Sequence, residues 1–240
     1  MKRMLICVAL FAIFVLVVAP AIADAKTKHP VPTKGVYLNC KGNLAYCQPH
    51  INRLMHVGVR VFIIPQSGQA RAIHDYIFER GGSIYWYANY MVETGIADKS
   101  TWPGTIGFYV WDEPGLHNKG GEVLWWHNRV RELTDKSTLI VHWGCDRQAV
   151  KRAVWPYINA AEVHGNDCYP MTRGLKAQKF LGRALFNSWS QMARISLARQ
   201  QPSMAVGKAF SWADLPKEDP TEGTDRFPSW SEFHTMASAA

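Results

Sequence analysis

Beyond its first two dozen residues the chain has no long uninterrupted apolar run, so nothing in its body reads as a membrane span. It has no Gly-x-Gly-x-x-Gly turn after its first strand-like segment, which excludes the usual dinucleotide cradle of an open doubly wound sheet. No pair among its 5 cysteines has zinc-ligand spacing, so no structural metal is expected. Basic residues exceed acidic ones and give a formal net charge of +8, yet they form no basic tract, and nucleic acid is not an expected partner.

What the chain does have begins with a sorting pattern. Lys2 and Arg3 precede an apolar stretch from Met4 to Ala19, then Pro20 and the small-residue pattern Ala21-Ile22-Ala23. These are the three parts of a secretory signal, with cleavage expected after Ala23. An uncleaved anchor is the competing reading, although the run falls short of the roughly 20 residues that span a bilayer. Cleavage would remove Lys2, Arg3 and Cys7, taking the formal charge from +8 to +6. The expected organisation is a signal peptide over 1–23 and one exported barrel domain over 24–240, secreted or periplasmic and free of the membrane once cleaved. Cys40, Cys47, Cys145 and Cys168 would then face a compartment where disulfides persist. Cys40 and Cys47 flank a short polar loop and are expected to bridge locally. Cys145 and Cys168 can meet only if their loops converge above neighbouring strands.

Short apolar segments then alternate with amphipathic ones. Strands are expected at Gly35–Asn39, Val59–Pro65, Ser83–Tyr87, Gly107–Asp112, Ser137–Trp143, Ala161–Asn166 and Met204–Trp212. Helices are expected within Ile51–Val57, Ala70–Arg80, Gly121–Lys136, Arg147–Tyr157 and Leu175–Arg199. Several strands are apolar throughout, as when helices cover a parallel sheet. The fold class is α/β, a (β/α)8 TIM barrel.

The fourth of these strands is the most telling segment. Gly107-Phe108-Tyr109-Val110-Trp111 is β-branched and aromatic, then stops on Asp112-Glu113-Pro114. Pro114 has no NH to continue a ladder, and buried acids are costly unless paired or set at a mouth. A site is one reading; a surface turn capped by Asp112 is the other. The sixth strand also runs into an acid, in Asp167-Cys168-Tyr169-Pro170.

With these two turns the sequence resembles the glycosidase-like (β/α)8 barrels in which strand four ends in Asp-Glu-Pro and strand six in Asp-x-Tyr-Pro. The resemblance implies ligand binding at the C-terminal strand ends and cleavage of a polysaccharide or oligosaccharide by carboxylate acid/base chemistry, without a cofactor. It makes Glu113 the candidate acid, Asp112 an orienting or hydroxyl-binding residue, and Asp167 a candidate base for an attacking water. The glutamate that ends strand seven in retaining members is missing from Val206-Gly207-Lys208-Ala209-Phe210-Ser211-Trp212-Ala213-Asp214. Asp214 is a further candidate base, and a carbohydrate-binding barrel without catalysis is the alternative reading. Barrel metallohydrolases start with a His-x-His pair that the first strand here lacks, so His142 and His164 are read as hydrogen-bonding residues.

Sugar rings present apolar CH faces beside hydroxyl edges, and aromatic residues at strand ends suit them. Tyr87, Tyr90, Trp111, Trp143, Tyr169 and Trp212 are the candidates. Lys208 lies inside an otherwise apolar strand; it either tunes the acids or binds a uronic-acid carboxylate at the mouth, or snorkels outward between helices. The tail from Phe227 to Ala237 resembles the helix before the last strand of such barrels, with Ala240 the final residue. The expected barrel is therefore C-terminally incomplete, lacking its eighth strand, with strands one and seven not hydrogen-bonded to each other.

Overall fold

A computed structural model of the chain describes residues 33–65, 68–89, 91–117, 119–168 and 181–208. Seven parallel strands surround an axis: β1 (Thr33–Tyr37), β2 (Val61–Ile64), β3 (Ser83–Tyr87), β4 (Thr105–Asp112), β5 (Ser137–Trp143), β6 (Val163–Asp167) and β7 (Ser203–Lys208). Between them run α1 (Leu44–His56), α2 (Ala70–Phe78), α3 (Glu93–Ser100), the short α4 (Pro114–His117), α5 (Gly120–Leu133), α6 (Arg147–Val154) and α7 (Leu181–Ala198). Among the described residues no helix is long and apolar enough to cross a membrane.

The expectation of a gap between the first and seventh strands is corrected by the ladder. β7 pairs directly with β1, from Thr33 opposite Met204 to Tyr37 opposite Lys208, and the barrel closes on seven strands. Fewer strands leave a narrower lumen. The interior holds Val61, Ile63, Tyr85, Tyr87, Tyr109, Leu139, Val141, Val163, Met204 and Val206. Glycine makes room for the largest of these. A Cβ on Gly35 would collide with Met204, and one on Gly107 would collide with the Ser137 carbonyl and the Tyr85 ring. On Gly165 it would stand 3.0 Å from Val141 and 3.1 Å from Val206.

The alternate side chains point outward. Phe62, Ile64, Trp86, Phe108 and Ile140 pack under Ile51, Leu54, Ile73, Ile77, Val123 and Val130 of the helices. Side-chain caps fix two helix starts: Asn43 accepts from Ala45 and Tyr46 at α1, and Asp146 from Gln148 and Ala149 at α6. The helix α3 is absent from the expected elements. Only Ile96 and Lys99 of its eight residues are buried, so it carries no apolar stripe to read. Both disulfides form, Cys40–Cys47 with Cα atoms 5.1 Å apart and Cys145–Cys168 at 4.9 Å. The second ties the loop after β5 to the end of β6.

The crowding at Gly107 yields a stability test. Gly107→Ala is expected to lower the unfolding free energy by about 1–3 kcal/mol, the usual cost of overpacking, in urea denaturation. An unchanged midpoint would mean that the lumen has slack.

Candidate active site at the barrel mouth

Simple alternation along β4 would carry Tyr109 and Trp111 inward and Asp112 outward. The register does otherwise. Tyr109 lies opposite Leu139, but Trp111 lies opposite Ile140 and Asp112 opposite Val141, so one extra residue is accommodated at Val110. Trp111 therefore packs against the outer layer, with Lys119 Nζ 5.9 Å from its ring centre. Asp112 takes an inward position, where the Tyr109 hydroxyl donates to its carboxylate.

Asp167 ends β6 on the same inner face and is buried. Tyr109 senses both acids. Its ionisation is pushed well above the usual phenol range by burial, then by the charges of Asp112 and Tyr87, the Asp112 hydrogen bond and the charge of Asp167. Tyr87 meets Tyr109 edge-on with ring centres 4.4 Å apart, and Tyr37 meets Tyr87 at 5.8 Å. The floor of the mouth is thus three phenols under two carboxylates.

Glu113 belongs to a different group. Its NH donates to the Val141 carbonyl at 2.9 Å, and its backbone sits at φ +44°, the left-handed region that side chains other than glycine seldom adopt. Its side chain lines a cleft of about 200 Å³ with His142, Trp143 and Arg152, kept open by the small residues Gly115 and Ala149. The structure brings Asp112 and Asp167 together around Tyr109 and sets Glu113 beside Trp143.

Of the remaining sequence candidates, Tyr87 is buried in the floor and Trp143 is exposed at the rim. Lys208 holds the last register position of β7, opposite Tyr37. Tyr90, Tyr169, Trp212 and Asp214 lie outside the described residues. Tyr37, Tyr109 and Arg152 were not among the candidates. The tyrosines have a signal, since each falls on the inner face near its strand's C-terminal end; Arg152, in the helix after β5, has none.

His142 and His164 form a buried pair behind the cleft. His142 Nε2 lies 3.0 Å from His164 Nδ1, and His164 Nε2 lies 3.2 Å from the Ile158 carbonyl. Burial holds His142 well below the usual imidazole range, aided by His164, and holds His164 at about 4.

No family model and no curated protein matches the chain. Solved structures do. A spore coat polysaccharide biosynthesis protein of Bacillus subtilis aligns over 87% of this chain and 67% of its own, at 12% identity and a TM-score of 0.46. A mandelate racemase/muconate lactonizing protein of Herpetosiphon aurantiacus aligns over 88% of this chain at 8% identity and a TM-score of 0.43. This chain spans 54% of the length of that second protein. Neither likeness bears on chemistry; the class that the fold itself defines is a seven-stranded parallel β/α barrel.

Two measurements test this geometry. Glu113→Gly is expected to raise stability by about 0.5–1 kcal/mol in urea unfolding by relieving the left-handed backbone, whereas Glu113→Ala is not. A loss on Glu113→Gly would mean that the side chain contributes more than the backbone strain costs. The histidine pair sets a pH dependence. The unfolded chain takes up protons near the reference value of 6.5, while folded His164 resists until about 4. Between those values the unfolded state binds more protons, so stability falls as pH drops through this window, with His164 contributing on the order of 3 kcal/mol. His164→Asn is expected to flatten the slope of stability against pH; an unaltered slope would contradict the buried neutral pair.

Proposed function

We propose that the protein is an exported carbohydrate-active barrel that cleaves glycosidic bonds by carboxylate chemistry. The observation that carries this reading is the convergence of Asp112 and Asp167 on Tyr109 above a floor of phenols, at the strand ends where barrels of this kind hold ligands. A sugar ring laid there would meet apolar ring edges below and acids at its hydroxyls. Glycoside cleavage needs one acid to protonate the departing oxygen and a second carboxylate to activate water or stabilise the sugar cation.

In this reading the substrate crosses from the mouth into the side cleft. Glu113, next in sequence to Asp112, protonates the oxygen of the bond between the two places, Asp167 serves water or the cation, and Asp112, held by Tyr109, orients the ring over the floor. The sorting pattern of residues 2–23 and the two disulfides support export. One observation favours binding without cleavage: Val206-Gly207-Lys208 brings no glutamate to the end of β7.

The test is a screen of plant, algal and microbial polysaccharides for reducing-end release and for binding, on the native protein, Glu113→Gln and Asp167→Asn. Each variant is expected to lose at least about a hundredfold in turnover while still binding, because proton transfer contributes to the transition state more than to ground-state affinity. Binding without turnover by the native protein would favour the non-catalytic reading. Turnover unaffected in both variants would remove these two carboxylates from the mechanism.

A further inference from the structure

The side cleft has a composition of its own. Its volume of about 200 Å³ is below the roughly 300 Å³ at which pockets begin to enclose drug-sized ligands, so it admits a single ring. Trp143 stands at its rim with 41% of its surface exposed, which is unusual for an indole at the end of a buried strand. Arg152 on α6 lines the same space, and among the described residues it makes no ion pair or hydrogen bond. A guanidinium in such a place matches a carboxylate in charge and in its paired donor geometry.

The inner wall is His142, and its hydrogen-bond role follows from its partners. The Ile158 carbonyl can only accept, so His164 Nε2 carries the proton and donates to it. In neutral His164, Nδ1 is then an acceptor, and His142 Nε2 must donate to it. That leaves a lone pair on His142 Nδ1. This atom is buried and has no hydrogen bond of ordinary geometry to a described residue, although the Ala153 backbone lies near enough to the ring to oppose part of the lowering that burial causes. Burial keeps the ring neutral, so the acceptor persists at physiological pH. A buried acceptor of this kind is satisfied by a donor on the ligand, and a sugar hydroxyl is such a donor.

We propose that the cleft between β4, β5 and α6 is a subsite for one hexuronic acid ring, with its CH face on Trp143, its carboxylate on Arg152 and a hydroxyl donating to His142 Nδ1. The substrate is then an acidic polysaccharide. This deepens the carbohydrate reading given above and rests on it. The formal charge of +6 that remains once Lys2 and Arg3 are removed with the signal agrees, since a cationic protein gathers polyanions to its surface.

The experiment is calorimetric titration of the protein with the methyl glycosides of glucuronic and galacturonic acid, and with those of glucose and galactose. The native protein is compared with Arg152→Gln and Trp143→Ala, whose exposed positions leave the core untouched. A uronide is expected to bind at least about tenfold more tightly than its neutral counterpart; Arg152→Gln is expected to abolish that preference and Trp143→Ala to weaken both sugars. Equal affinity for acidic and neutral sugars, a preference that survives Arg152→Gln, or no binding of any glycoside would overturn the subsite. Cleavage or binding of neutral polysaccharides in the wider screen, with uronides unbound, would sink this inference alone. If no polysaccharide, acidic or neutral, is bound or cleaved, the carbohydrate reading fails with it.

Discussion

The extra residue at Val110 is the constraint on which the mouth depends. By shifting the β4–β5 register it reverses the facing of the last residues of β4, so that Trp111 joins the outer layer and Asp112 turns to the axis. The hydrogen bond from Tyr109 then spans the bulge and holds Asp112 over the phenol floor. Because Asp112 has already turned inward, Glu113 leaves the strand through a left-handed backbone and its carboxylate enters the side cleft. Two adjacent acids thus serve two different environments. A regular strand would have sent them to opposite faces, with the roles reversed.

Closure on seven strands works in the same direction. The narrow lumen is packed with tyrosines and Met204, and a Cβ at Gly35 or Gly107 would collide with that packing. At the C-terminal strand ends Asp112 and Asp167 offer their carboxylates to a ligand. The Cys145–Cys168 bridge fastens the β5 loop to the end of β6, so Trp143 and Asp167 are held by a covalent tie as well as by the ladder in which they stand opposite each other. Such ties are a common means of fixing first contacts on rigid elements.

Much of this was legible in the residues, for physical reasons that differ by element. Ser83–Tyr87 and Ser137–Trp143 were readable to the residue, since apolar β-branched and aromatic runs bounded by polar turns have few other uses. The Cys40–Cys47 bridge followed from a short loop. The bulge was not legible: Val110 is a good strand residue, and no glycine or proline marks the extra position. Alternation alone would turn Trp111 to the axis and Asp112 away from it, whereas the shifted register packs Trp111 on the outer layer and turns Asp112 inward. Closure was not legible either, because the pairing of β1 with β7 joins segments at opposite ends of the strand series and no single segment reveals it.

Under the proposed function, ligand chemistry gathers at the C-terminal mouth around Asp112 and Asp167. A crystal structure of Asp167→Asn soaked with an acidic oligosaccharide tests it most directly. One ring over Tyr87 and Tyr109 within hydrogen-bond distance of Asp112, and the next ring in the Trp143 cleft beside Glu113, is the expected result. An oligosaccharide bound only on the helical layer or at the N-terminal end of the barrel would contradict it.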